Sequence, residues 1–271
     1  MNYIASIILL VFLQCNLAFA SEEKVGLSLK QANQFMTYSG MDELIQSLPQ
    51  SMSQQLNLHR LMLIRDMTQD EAKQAVSKAI SQVDGATIAI NYLTRNNKAQ
   101  ALSDALDFLA SPLGLRISHE EKAASSPDGQ LAMQAYAKQL LEISPTKARE
   151  TLIKQLSTAL NAEQVVLEVM KGTVFSILKV AETINSQALE TLRPEIESEW
   201  RQMKPALRNQ LAQYMVMSSH YGYRNISSKD LKEYMAFLAT DSGKAYWHAG
   251  IEVIDLYIKQ FVIELTKAMV E

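Results

Sequence analysis

The most constraining feature of this chain is that no run alternates apolar and polar residues for long, while helix start signals recur at short intervals. Thr68 followed by Glu71 is a capping-box pair. Ser126-Pro127 and Ser144-Pro145 each set a hydroxyl cap before a proline at the first helical position, and Asn161 precedes Ala162-Glu163 in the same manner. Asp84-Gly85 reads as a helix stop. Only 9 Gly and 6 Pro interrupt 271 residues, so little breaks the helical pattern. These signals predict an all-α fold, a helical bundle, with helices near 29–39, 42–57, 69–83, 86–96, 98–110, 113–124, 127–142, 146–159, 162–184, 186–220, 229–239 and 242–270.

Two of these segments are apolar over more than one face. In 162–184, Val166, Val169, Thr173, Ile177, Val180 and Ile184 form one stripe and Leu167, Met170, Val174, Leu178 and Ala181 a second, which places the helix inside a bundle. Its Glu163, Glu168, Lys171, Lys179 and Glu182 argue against a membrane span, because each charge is costly in hydrocarbon. The last helix carries Ile251, Ile254, Ile258, Phe261 and Leu265 at heptad spacing, and is expected at the bundle centre or in a homo-oligomer interface.

Residues 1–20 are of a different character. They hold no charged side chain, Ile4 to Leu13 is almost continuously apolar, and Ala18-Phe19-Ala20 offers the small residues a signal peptidase requires. The expectation is a cleaved secretory signal peptide and a periplasmic mature chain without a transmembrane span. An uncleaved anchor and acylation of Cys15 are the alternatives; Gln14 before Cys15 disfavours the second. Since Cys15 is the only cysteine, the mature chain has no thiol for a disulfide, a nucleophile or a Cys-based metal site. With 26 basic and 29 acidic residues, a net charge of -3 provides no field for a phosphate backbone, and nucleic acid is not an expected partner.

The chain also resembles itself. A shift of 129 residues lays Tyr92 on Tyr221, Arg95 on Arg224, Leu102 on Leu231, Phe108-Leu109-Ala110 on Phe237-Leu238-Ala239, and Gly114 on Gly243. Ser111 meets Thr240 at the same shift, so each copy predicts a helix end, a hydroxyl N-cap and a glycine in the first turn of the next helix. The expected organisation is a signal peptide over 1–20 and two tandem helix-corner-helix repeats over 21–143 and 144–271.

Phe108-Leu109-Ala110-Ser111-Pro112-Leu113-Gly114 resembles the aromatic helix followed by Ser-Pro-x-Gly of the bacterial exported domain-of-unknown-function family numbered twenty fifty-nine. Phe237 to Lys244 looks like a second copy with Asp241 in place of the proline, and Leu109 and Leu238 stand where members of that family often have Tyr. The resemblance implies export and an all-helical domain, and supplies no catalytic residue.

No nucleotide-binding glycine loop, nucleophile elbow or complete zinc-protease motif is present; His119-Glu120-Glu121-Lys122-Ala123 lacks the second histidine. His119 and His248 match under the 129-residue shift. His59 with Met62, and Met217 with His220, place a thioether and an imidazole one helical turn apart, a donor pair suited to Cu(I) or Ag(I). No one helical face supplies more than two such ligands, so these residues are expected to be structural, with no metal and no cofactor. Tyr214, Tyr221, Tyr223, Tyr234, Tyr246, Trp247 and Tyr257 are expected either to pack the core or to line a groove for a peptide, glycan or lipid. The leading expectation is a non-enzymatic envelope protein that binds another protein, a cell-wall component or a lipid. The alternatives are a soft-metal binder and an enzyme of unidentified class.

Overall fold

A computed structural model of the chain describes residues 26–142, 145–160 and 162–271. The segment read as a signal peptide, with Cys15, lies outside the described residues, as do Ser144 and Asn161. The described residues form thirteen helices and no strand: α1 (Leu29–Ser39), α2 (Met41–Gln55), α3 (Leu58–Ile64), α4 (Gln69–Gln82), α5 (Gly85–Arg95), α6 (Ala99–Leu109), α7 (Pro112–Ser125), α8 (Pro127–Glu142), α9 (Lys147–Leu160), α10 (Ala162–Ile184), α11 (Ser186–Gly222), α12 (Ser228–Ala239) and α13 (Asp241–Val270). The fold is all-α. No described helix is long and apolar enough to cross a membrane.

Several helix starts follow the local chemistry. Thr68 and Glu71 satisfy each other's backbone N–H groups, and Ser126 accepts the N–H of Gly129 at 3.0 Å. Three readings need correction. Asp84-Gly85 is a start rather than a stop, because Asp84 accepts the N–H of Thr87 at 2.9 Å and Gly85 is the first residue of α5. Pro145 does not open α9, which begins at Lys147, with Thr146 accepting the N–H of Arg149. The helices expected over 42–57 and 69–83 leave out the short α3; Asn57 caps it, and its Arg60, Leu61 and Ile64 are buried.

Two apolar clusters stack along the bundle. One gathers Phe35 and Ile45 with Leu93, Leu102, Leu109, Ile117, Ile153, Leu231, Phe237 and Val253. The other gathers Leu48 and Leu61 with Val76, Ile177, Leu192, Ile254, Phe261 and Leu265. Each draws on residues from both sides of position 143. Helix α13 runs through both clusters and packs on α4, α5, α6, α10 and α12, which makes it the central helix. Its apolar residues cover more than one face because neighbours surround it.

The two motif segments form matching corners. Ser111 accepts the N–H of Gly114 at 3.1 Å, and Thr240 accepts that of Gly243 at 3.0 Å. A Cβ on Gly114 would lie 2.2 Å from the Phe108 carbonyl oxygen, and one on Gly243 2.1 Å from that of Phe237. Only glycine lets the new helix pass so close to the end of the old one. Pro112 opens α7, where a missing N–H costs nothing. Phe237 is buried and Phe108 is partly buried against the same cluster.

Candidate functional site: an aromatic cleft around Glu121

The corner at Ser111 sets the direction of α7, and burial of Leu113, Gly114, Ile117 and Ser118 fixes its rotation. One turn further on, three consecutive side chains take separate paths. Glu120 accepts from the Asn225 amide at 2.9 Å and stands 3.9 Å from Arg224. Lys122 reaches the α1–α2 corner, where it pairs with Glu43 at 2.5 Å and Asp42 at 3.6 Å and donates to the Thr37 carbonyl oxygen. Gly40, in the left-handed conformation with φ 74°, makes that corner tight enough to meet it.

Glu121 turns inward. The Tyr223 hydroxyl donates to Glu121 Oε1 at 2.5 Å, and the Tyr234 hydroxyl donates to the same oxygen at 3.3 Å. Among the described residues no hydrogen-bond donor or cation reaches Oε2, and the residue keeps partial exposure at the cleft. Burial pushes the Glu121 carboxyl above the usual carboxylate range, and the two tyrosyl hydrogen bonds offset part of that rise. Tyr223 and Tyr234 are held well above the usual phenol range, by burial first and then by the Glu121 charge; Tyr246 is raised by the same two causes.

These rings belong to a continuous aromatic wall. Tyr223 packs on Tyr234, Tyr234 stacks on Phe108 and Phe237, and Tyr246 packs on Phe237 and on Phe35. The apolar corner residues thus brace the rings that hold the carboxyl. In front of the wall lies a cleft of about 300 Å³ bounded by Glu121, Gln130, Tyr214, Tyr223, Tyr246 and Trp247, with Ser125, Ser157, Ser218 and Ser219 at its edges. Tyr246 and Trp247 also border an apolar recess of about 240 Å³ with Met41, Leu44 and Ile251. On the other side Glu121, Ser125 and Gln130 are shared with a third concavity that includes Ser118 and Lys122. A Tyr- and Trp-lined concavity with a few convergent polar groups is the usual form of a small-molecule site.

The structure divides the aromatic residues singled out in the sequence. Tyr214, Tyr223, Tyr234, Tyr246 and Trp247 meet at the cleft. Tyr221 instead packs on Tyr136 and lies beneath Arg224, and Tyr257 is core. The soft-metal candidates are spread out. His59 is exposed on α3 and Met62 packs on the second cluster. Arg60 fastens α3 to Glu199 of α11 at 2.5 Å, roughly six helical turns before His220. His220 is buried, with its pKa lowered by burial and then by Arg149, and Met217 is partly buried nearby on the same helix. His119 and His248 are exposed on different helices. No group of three or more His, Cys, Asp or Glu converges among the described residues.

Glu121 itself was the residue that sequence reasoning passed over. It lies inside the incomplete zinc-protease motif, where attention falls on the missing histidine. The one local signal was a Glu pair on a helix that follows a packed corner, and nothing in it foretold three tyrosines from the α11–α12 connection, α12 and α13. No family model, no curated protein and no solved structure matches the chain.

Proposed function

We propose that this chain is an exported, non-enzymatic binding protein of the bacterial envelope that takes its ligand in the Glu121 cleft. The observation that carries this reading is the convergence of five aromatic side chains and one half-buried carboxyl on a single concavity. Export rests on the composition of residues 1–20 and on the family resemblance. A two-copy origin is supported by the matched corners at Gly114 and Gly243, which brace the aromatic wall from both sides.

Trp200 and Trp247 are the two tryptophans, and Trp200 lies away from the cleft against Phe175. Trp200→Phe therefore leaves Trp247 as the sole indole reporter. The expected result is a saturable change in Trp247 fluorescence with at least one member of a panel of cell-wall fragments, single-chain lipids, short peptides and small amphiphiles. A panel without any saturable response, in a variant that remains helical, contradicts the reading.

A further inference from the structure

We propose that the ligand group entering this cleft is an organic cation, an alkylammonium head with Glu121 as its counter-ion; this rests on the binding reading above. Among the described residues, Glu121 is the one charged residue lining the Tyr and Trp cleft, and neither Lys, Arg nor His borders it. The charged and titratable neighbours are otherwise engaged. Lys122 is turned to Glu43 and Asp42, Arg224 lies at Glu120, and Tyr223, Tyr234 and Tyr246 are phenols that stay neutral. A carboxyl with two hydroxyl donors on one oxygen is built to carry negative charge, and inside an apolar wall that charge is costly until a cation meets it.

The rest of the cleft suits the same chemistry. Aromatic faces are electron-rich and attract cations within about 6 Å of the ring centre, most strongly for Trp. Tyr246 has ring neighbours in Phe35 and Phe237, whereas no aromatic side chain stacks on Trp247 among the described residues. A volume of about 300 Å³ admits a head group of a few carbons, and the cost of taking an alkylammonium out of water is offset by the Glu121 charge and the aromatic faces around it. In the empty cleft burial shifts Glu121 toward its protonated form. Where Glu121 holds its proton, cation binding breaks the carboxyl O–H bond heterolytically, the proton goes to solvent, and the ligand's positive charge replaces it with no change in net charge at the site.

Titration calorimetry on the full mature chain tests this with choline and with 3,3-dimethylbutan-1-ol, its uncharged carbon counterpart. At pH 8 choline is expected to bind at least ~10-fold more tightly than the alcohol. Its affinity should rise from pH 5 to pH 8, and its heat should vary with the buffer's ionisation enthalpy because a proton is released. Glu121→Gln should abolish the preference for choline. Tyr234→Phe, which keeps the carboxyl and removes one donor, should move the pH dependence upward, so the proposal remains testable if the Gln variant does not fold. Equal or tighter binding of the alcohol overturns the cation proposal while leaving a binding cleft. Absence of choline binding also overturns it, and the Trp247 fluorescence panel then decides separately whether the cleft binds anything.

Discussion

Phe108 and Phe237 stack face to face, with ring centroids 3.8 Å apart and planes 5° from parallel. Each is the aromatic residue of the last turn before a hydroxyl-capped corner, so the contact joins one corner directly to the other. Tyr234 stacks on both rings at 6.1 and 6.4 Å, and its hydroxyl reaches Glu121. The pair therefore connects the packing of the bundle to the geometry of the cleft.

Removing either ring should cost more than its buried area alone. Phe237→Ala is expected to destabilise by about 3 to 5 kcal/mol, since Phe237 is buried and the surrounding helices collapse only in part. A double-mutant cycle with Phe108→Leu and Phe237→Leu should give a coupling of about 0.5 to 1.5 kcal/mol from urea unfolding. Additive effects would mean that the stack contributes nothing of its own.

The corners should tolerate no side chain at their glycines. Gly114→Ala and Gly243→Ala each push a methyl group into the preceding helix's carbonyl oxygen, with a cost of at least about 1 to 3 kcal/mol in thermal or urea unfolding. Ser111→Ala and Thr240→Ala lose a cap bond and should cost about 1 kcal/mol each. A neutral alanine at either glycine would contradict the close approach.

Much of this scaffold was legible in the sequence, for physical reasons that can be named. Thr68 with Glu71, Ser126 and the Ser111 and Thr240 corners are local devices, written within four residues, and they hold in the structure. Asp84-Gly85 was misread because a cap and a stop share the same residue types, and only the position of Thr87 distinguishes them. The seven residues of α3 are too few to show a helical period. The cleft was half legible. Its aromatic residues were visible as a cluster in the second half of the chain, but Glu121 meets them across more than a hundred residues, and no local pattern encodes such a contact.

The pH dependence of stability should carry the mark of Glu121. Burial raises its folded pKa above the unfolded value of about 4.3, so the folded chain holds the proton to higher pH. Its contribution to stability is full below the unfolded value and is lost as pH rises through the folded one. Glu121→Gln, which is always neutral, should match the parent chain at pH 4 and be more stable at pH 8, read as the urea midpoint. A variant less stable than the parent at pH 8 would show that the ionised carboxyl is stabilising instead.

Export makes a prediction about mass. When the full-length chain is expressed with an active secretion pathway, the periplasmic fraction should contain a protein beginning at Ser21, without lipid, because Ala18 and Ala20 provide the cleavage site. An intact mass that includes Met1, or an acyl group on Cys15, contradicts this.

The central claim, that the cleft beside Trp247 and Glu121 is where this protein binds its ligand, is tested most directly through its two indole N–H resonances. In a screen of small fragments by ¹⁵N-correlated NMR, binders are predicted to move the Trp247 indole signal in a saturable way while that of Trp200 stays in place. Binders that move Trp200 alone, or that leave Trp247 unmoved at saturation, would place the binding site elsewhere and contradict the account.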